Sequence, residues 1–264
     1  MTTGADPLET VLAVLGNSHG RLAAVVGPLT AEEVAAPSYD DDWSIAQVLS
    51  HLGSGAEIFS LILEAGLRGE DAPGPEQFQE VWGRWNAKSP AEQARDGVAA
   101  DAAFLDRLAG LDPAERDRWR LSFFGGEQQL SDIARMRLSE HALHTWDVAV
   151  ARDSKATVPG DAVELILDTL PGLVSRVGQA PGANLRVHVT TYDPERRFQL
   201  DAGPDGVSLS PAAPSPLPPG RAVLRLPAEA FIRLLYGRLD DEHMPAAETE
   251  NVDLATLRRI FPGF

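Results

Sequence analysis

The segment from about Leu130 to Arg152 most strongly limits what this chain can fold into, because its periodicity predicts one long helix with charged residues on the inward face. Residues three and four apart share a helix face, so Glu140 and His144 project side by side. Burying a carboxylate and an imidazole without a partner is costly, so such a helix usually holds a cation between them. The predicted inward stripe consists of Ile133, Met136, Arg137, Glu140, His144, Asp147, Val148 and Ala151.

The Glu140 and His144 pair has two interpretations. A lone pair at this spacing is more often a hydrogen-bonded couple on the surface, which contributes only a few tenths of a kcal/mol. A third ligand elsewhere in the chain would instead favour a metal site. His141 lies about 100° around the helix from Glu140, so we interpret it as a flanking residue.

The composition excludes several classes of function. A formal charge of −16, from 39 acidic and 23 basic residues, disfavours nucleic acid and anionic membranes, which require clustered Lys and Arg. The chain has no cysteine, which excludes disulfides, thiolate metal sites and a nucleophilic thiol of the protein itself. The sequence shows neither a signal peptide nor an apolar run of about 20 residues, so we expect a cytoplasmic protein that does not enter a membrane.

Two earlier helices carry further histidines. The pattern from Pro7 to Val26 predicts an amphipathic helix with His19 on its apolar stripe, where His19 is either a hydrogen-bonded core residue or lines the mouth of a pocket. A capping box at Ser44 begins a second helix that runs to about Gly66, and His51 lies on its apolar face. His51 is therefore the candidate for the missing third donor.

The rest of the first half completes a helical bundle. Ser89 followed by Pro90 predicts the start of a helix that ends at Gly110, and a shorter helix is expected from Pro75 to Asn86. The segment from Trp119 to Gln129 is expected to be a loop over one end of the bundle. Four long helices with modest connections suggest an antiparallel bundle, in which metal sites are built from inward side chains of facing helices.

The second half has a different pattern. One helix is expected from Asp161 to Val177, with a break near Pro171, and short alternating runs typical of a strand meander follow it. We therefore predict a two-domain α+β protein. Its four-helix bundle spans residues 1–154, and a small α/β domain with a mostly antiparallel sheet spans residues 155–264.

His51, Glu140 and His144 form the two-histidine, one-carboxylate set of open catalytic zinc sites. Zinc is the first expectation because the set is rich in nitrogen and free of thiolate, although nickel, cobalt or iron suit the same donors. Asp147, one turn beyond His144, is either the acceptor for the free ring N–H of that histidine or a carboxylate on the helix surface.

Three segments of the chain resemble the mycothiol-dependent maleylpyruvate isomerase family. They are Trp43-Ser44-Ile45-Ala46-Gln47-Val48-Leu49-Ser50-His51-Leu52, the Glu140-x-x-x-His144-x-x-Asp147 helix, and Leu234-Leu235-Tyr236-Gly237-Arg238. That family joins a DinB-like four-helix metal domain to a small α/β domain similar to sterol carrier proteins. The resemblance covers nearly the whole chain in the expected order.

The resemblance implies roles for individual residues. His51, Glu140 and His144 would be the zinc ligands, and Arg238 would be an arginine that the smaller domain supplies for catalysis and cofactor binding. Ser18-His19 also resembles a segment of the isomerase, so His19 is a second candidate for cofactor binding. Without the resemblance, Arg238 would be interpreted as an arginine near the end of a helix, where the helix dipole favours it.

The implied cofactors are zinc, or another divalent metal, and mycothiol. Zinc lets a coordinated thiol persist as thiolate near neutral pH, which supplies the nucleophile that the protein lacks. With a maleyl-type diacid, addition and expulsion would give isomerisation, and attack without expulsion would give thiol transfer. The expected partners are thus a small thiol and a small electrophile, with the chain a monomer or weak homodimer.

Two other classes of function remain open at this point. A zinc hydrolase that uses metal-bound water on the same three residues would need no thiol. A non-catalytic protein that captures a metal or ligand would bind tightly without turnover.

Overall fold

The computed structural model describes residues 7–39, 42–123, 125–182, 184–214 and 220–263. By its internal contacts the chain divides into two compact units, Met1–Ala156 and Thr157–Phe264. The first unit is mainly helical and the second combines a sheet with helices. The prediction of an α+β protein is therefore confirmed.

Helices dominate the first unit, and their ends follow local capping chemistry. Ser44 and Ser89 each accept a hydrogen bond from the backbone three residues later, and the side chain at that position bonds back to the cap. The elements are α1 (Pro7–Val26), α2 (Ala31–Val34), α3 (Ile45–Arg68), α4 (Pro75–Asn86), α5 (Pro90–Ala109), α6 (Pro113–Arg118), β1 (Arg120–Phe123), β2 (Gly126–Gln129) and α7 (Leu130–Val150).

Within this unit, α3 packs most extensively against α5, and α1 packs against α7. The α3 and α5 backbones approach closely at Gly97, where a Cβ atom would lie 2.4 Å from the carbonyl oxygen of Leu49. Since no side chain fits there, glycine at this position permits the close packing of the two helices. The α7 helix is buried around most of its circumference and not along a single stripe.

One expectation for the chain path was wrong, and a second differs from the structure by a few residues. The expected loop from Trp119 to Gln129 contains the antiparallel hairpin of β1 and β2, apart from Phe124, which lies outside the described residues. Trp119 anchors this hairpin, because its buried indole Nε1 donates to the carbonyl of Leu63 at 2.8 Å. The helix expected from Asp161 to Val177 with a break near Pro171 is interrupted slightly earlier, at 168–169. Pro171 therefore lies in the first turn of the second helix, where its missing N–H costs nothing.

The second unit is built around one mixed sheet. Its strand order is β5-β4-β3-β6-β7, with β3 and β6 parallel and the other neighbouring pairs antiparallel. The mostly antiparallel sheet predicted from the sequence is confirmed. The elements are α8 (Gly160–Leu167), α9 (Leu170–Val177), β3 (Leu185–Tyr192), β4 (Arg196–Gly203), β5 (Gly206–Pro211), β6 (Ala222–Pro227), α10 (Ala228–Leu235), β7 (Glu248–Glu250) and α11 (Leu254–Ile260).

One helix among the described residues, α3, is long and apolar enough to cross a membrane by length and composition. Most of this stretch is buried inside the first unit, as expected for the central helix of a bundle.

Candidate metal centre

Helices α3 and α7 bring three potential metal ligands together. His51 projects from α3, and Glu140 and His144 project one turn apart from α7. One donor atom from each residue lies within 4.8 Å of the other two. The His51 Nε2 atom lies 3.3 Å from Glu140 Oε2, and the His144 Nε2 atom lies 3.7 Å from the same oxygen. Residues 89 positions apart in the sequence therefore meet at one point.

The fourth residue of the predicted set, Asp147, orients one of these histidines. Its Oδ2 atom lies 2.8 Å from His144 Nδ1. Because a carboxylate can only accept, Nδ1 donates in this contact, and Nε2 is the ring nitrogen that faces Glu140. A carboxylate that holds the far nitrogen of a metal-binding histidine is a recurring feature of zinc sites.

The charges around Glu140 favour its ionised form. Burial raises the pKa of this carboxyl group. The hydrogen bond from His51 and the charges of His144, His51 and Arg137 together outweigh burial and lower the pKa to about 2. The side chain nevertheless keeps 44% of its surface exposed. The carboxylate is thus ionised, as a metal ligand must be, and a small molecule can approach it.

Trp43 forms an aromatic wall beside the two histidines. Its ring lies nearly parallel to that of His144, with centroids 6.3 Å apart and planes at 14°. The same indole is tilted against His51 at a centroid distance of 5.3 Å. Sequence reasoning included Trp43 in a motif but assigned it no role. The signal for one was its position directly before the Ser44 cap, which fixes the indole close to the first turns of α3.

The donor spacing fits a divalent metal. Zinc with ligand bonds of about 2.0–2.2 Å in tetrahedral geometry separates neighbouring donor atoms by roughly 3.3 Å. The two measured separations, 3.3 and 3.7 Å, are close to that value and longer than well-formed hydrogen bonds. Two imidazoles and one carboxylate also match the donor chemistry that zinc prefers.

A second cluster of the same residue types lies deeper in the first unit. It consists of His19 on α1, Asp101 on α5 and His141 on α7. The Asp101 Oδ2 atom lies 2.7 Å from His19 Nδ1 and 2.9 Å from His141 Nε2, which are ordinary charge-assisted hydrogen-bond distances. The interpretation of His141 as a flanking residue was wrong, because its side chain is completely buried at the centre of this network.

Two further side chains close this buried network. The hydroxyl of Ser18 lies 2.8 Å from His141 Nδ1, and Arg137 Nη2 lies 2.7 Å from Asp101 Oδ1. Burial raises the pKa of Asp101, but the hydrogen bonds of His141 and His19 and the charge of Arg137 lower it well below its usual range. Burial lowers the pKa of His141, although Asp101 opposes this shift, so His141 is neutral near pH 7.

The network also gives His19 a structural partner. The hydrogen bond to Asp101 raises the pKa of His19 against the effect of burial. This matches the alternative of a hydrogen-bonded core histidine. The assignment of His19 to cofactor binding remains a prediction.

Arg238 belongs to the second unit and follows α10. Its Nη1 atom donates to the carbonyl oxygen of Tyr236 at 3.1 Å, and its side chain is half-buried. The turn before it requires glycine, because Gly237 has φ +71° and a Cβ atom there would lie 2.3 Å from the backbone of Gly263. The glycine turn thus fixes the backbone conformation directly before Arg238. The catalytic role of Arg238 remains a prediction.

These features define a class of protein: a helical bundle that presents two histidines and a carboxylate from facing helices, followed by a small α/β unit. The chain belongs to the family described as "Mycothiol maleylpyruvate isomerase N-terminal domain", whose sequence model matches residues 15–149. The family resemblance stated from the sequence is therefore confirmed. The matched segment contains all three candidate metal ligands.

Solved structures support the same fold. The chain is similar to the crystal structure of the mycothiol-dependent maleylpyruvate isomerase, with TM-score 0.66, 17% sequence identity and 93% of each chain covered. A histidine-to-alanine mutant of that isomerase matches with the same values. At this identity the similarity establishes the fold alone. No curated protein sequence matches the chain.

Proposed function

We propose that this chain is a metal-dependent enzyme that uses a small thiol of the mycothiol type. It either isomerises a small electrophilic substrate or transfers the thiol to that substrate. The observation that carries the proposal is the convergence of His51 Nε2, Glu140 Oε2 and His144 Nε2 at metal-ligand spacing. Membership of the family supports the thiol. The maleylpyruvate isomerase of similar fold suggests a conjugated diacid as the substrate class.

His51, Glu140 and His144 would hold the metal, with zinc the first choice for this donor set. Zinc bound there would lower the pKa of a coordinated thiol, so that the thiol supplies a thiolate nucleophile near neutral pH. The chain has no cysteine, so the nucleophile has to come from a small molecule.

The surrounding residues have separate roles in this proposal. Asp147 would hold His144 in the tautomer in which Nε2 is the metal-binding nitrogen. The Trp43 indole lies beside both imidazoles and would limit the directions in which they can turn. Arg238 would bind a substrate carboxylate through its guanidinium group, and His19 would assist the binding of the thiol. A cytoplasmic location, with the chain a monomer or weak homodimer, completes the proposal.

The metal half of the proposal is tested by stoichiometry. Metal-free protein titrated with zinc should bind about one equivalent, and both His51→Ala and Glu140→Gln should abolish this binding. His188→Ala in the second unit removes a histidine of strand β3 and is the matched control. Absence of zinc binding in the wild type, or wild-type binding in both ligand variants, would overturn the metal assignment.

The thiol half is tested with the zinc-loaded enzyme and a maleyl-type substrate. Turnover should require the thiol, and thiol consumption separates the two reactions, because isomerisation leaves the thiol concentration unchanged while transfer uses one thiol per product. Turnover that persists after removal of all small thiols would select a zinc hydrolase. Zinc binding without turnover over a panel of electrophiles would indicate a binding protein.

A further inference from the structure

Arg137 on α7 reaches across the interior of the first unit to two other helices. Its Nη2 atom donates to the carbonyl oxygen of Leu52 on α3 at 2.9 Å and to Asp101 Oδ1 on α5 at 2.7 Å. Its guanidinium carbon lies 5.8 Å from the ring centroid of Phe59, also on α3. Only 1% of the side-chain surface is exposed. One guanidinium group thus connects three helices.

The two ends of this connection lie next to the candidate metal ligands. Leu52 directly follows His51 on α3, and Arg137 precedes Glu140 by one turn of α7. The metal ligands come from these same two helices, so the separation of the helices determines whether the three donor atoms can reach one ion.

We infer that Arg137, held by Asp101, is a positioning residue that fixes α3 relative to α7 and thereby sets the affinity of the metal site. This inference rests on the proposed metal-binding function. Neither residue touches the metal in this assignment, and each acts through the backbone that carries His51 and Glu140.

The sequence of α3 leaves room for this arrangement. A Cβ atom on Gly55 would lie 2.9 Å from Arg137 Nη1, so any larger residue would push the guanidinium group away. Gly55 follows His51 by four residues and therefore lies on the same face of α3. Gly55, whose missing side chain leaves space for the guanidinium group, thus lies one turn from the candidate ligand His51.

Asp101 is held in place before any metal binds. Its Oδ1 atom accepts from Arg137, while its Oδ2 atom contacts the ring nitrogens of His19 and His141 at hydrogen-bond distances. The positive charge of Arg137 balances the buried carboxylate, as buried charges require. Because both oxygens already lie at hydrogen-bond distance from other side chains, we assign this cluster a structural role.

Two variants test the inference, one that removes the buried charges and one that keeps them but displaces the guanidinium group. Asp101→Asn combined with Arg137→Met removes both buried charges together, which avoids an unpaired charge and preserves folding. Gly55→Ala keeps both charges and raises helix propensity, but displaces the guanidinium group. In folded protein, each should weaken zinc affinity by about 10–100-fold, measured by competition with a chromophoric chelator. Cobalt substituted for zinc should show an altered visible spectrum in both variants, since ligand geometry changes.

Two matched controls isolate the effect. Gly16→Ala makes the same substitution on an exposed face of α1, where a Cβ atom meets nothing within 4 Å, and should keep wild-type affinity. Leu108→Ala destabilises the bundle by opening a cavity in α5 without removing a group of the network, and should bind zinc normally at temperatures where it is folded.

The outcomes separate this inference from the proposed function. If the wild type binds no zinc, the metal-binding function itself fails. If the wild type binds zinc and Gly55→Ala, which retains every charged group, has the same affinity and cobalt spectrum, Arg137 does not position the site and the inference is wrong. A second zinc equivalent that is lost in Asp101→Asn would show that the buried cluster is a metal site, which would also overturn it.

Discussion

Two clusters in the first unit share one composition, two histidines and one carboxylate, yet differ in geometry. In the buried cluster, Asp101 lies 2.7 and 2.9 Å from its histidines and also binds Arg137. In the open cluster, Glu140 lies 3.3 and 3.7 Å from its histidines. The first set of distances is that of hydrogen bonds, and the second leaves space for an ion.

The difference teaches that residue types alone do not identify a metal site. The Asp101 side chain is fully buried and its charge is balanced by a guanidinium group, whereas Glu140 is 44% exposed. A network in which a guanidinium group balances the buried carboxylate, and in which both histidines lie close to that carboxylate, stabilises the fold. An exposed carboxylate with loosely spaced imidazoles has donor capacity left for a ligand. The predictions below test this contrast, beginning with the largest expected effect.

Asp101→Asn should lower the free energy of unfolding by about 3–5 kcal/mol, because it leaves the buried Arg137 without its charge partner. Urea unfolding of metal-free protein, followed by tryptophan fluorescence, measures the effect, since all five tryptophans lie in the first unit. The matched change in the open cluster, Glu140→Gln, should cost less than about 1 kcal/mol, as exposed ion pairs do. Equal losses of unfolding free energy in the two variants would contradict the proposed difference between the buried and the open cluster.

Asp147→Asn should weaken zinc binding by about 10-fold or more, because the carboxylate fixes the tautomer of His144 and raises its basicity. A chelator competition assay on the folded protein measures this. Asp201→Asn, which removes a carboxylate from strand β4 in the second unit, is the control and should bind zinc as the wild type does. Unchanged affinity in Asp147→Asn would show that Asp147 does not support the site.

Ser18→Ala should lower the free energy of unfolding by about 0.5–1.5 kcal/mol, because it removes one hydrogen bond to the buried His141. The loss should fall near the lower end of this range, since Thr145 Oγ1 lies 3.3 Å from the same ring nitrogen. Urea unfolding measures the loss, and zinc affinity measured in parallel should stay at the wild-type value. A strong effect on zinc binding would mean that the Ser18 and His141 contact, and not only Arg137 with Asp101, influences the metal site.

The smallest effect concerns pH and His19, whose ring is 21% exposed and therefore partly screened by water. The hydrogen bond to Asp101 raises the pKa of His19 above 6.5, the value for an unperturbed histidine. Its stabilisation is therefore fully present below pH 6.5 and is lost as pH rises through the folded-state pKa.

His19→Gln should consequently be less stable than the wild type at about pH 6, and the gap should narrow towards about pH 9. Urea midpoints of the two metal-free proteins at both pH values measure the gap. A gap that widens with rising pH would show that the shift has the opposite sign.

Much of the fold could be predicted from local patterns. The capping box at Ser44 and the N-cap Ser89 followed by Pro90 predicted where α3 and α5 begin, because helix starts depend only on residues close together in the chain. The short helix α4 also lies where the periodicity predicted it, from Pro75 to Asn86. The hairpin of β1 and β2 was missed because two four-residue strands are too short to show a period, and a tryptophan contact with α3 stabilises them.

The candidate site was partly predictable for the same reason. Glu140, His144 and Asp147 share a face of α7 through spacing alone, so their proximity follows from the helix. His51 entered the set through its apolar face and through a family resemblance. Arg137 was predicted to lie on the inward stripe of α7, but the sequence did not reveal that Asp101 is its partner, since the two residues belong to different helices.

The sequence by itself determined the helices, their caps and the ligands that lie one turn apart, since these depend on interactions between near neighbours in the chain. Only the tertiary structure decided which of six carboxylate and imidazole groups form a closed network and which stay open. That distinction depends on contacts across 36 to 123 residues, such as Arg137 with Asp101 and Ser18 with His141. The carboxylate–histidine distances in the two clusters differ by at most 1.0 Å, and only the packing of the helices sets them.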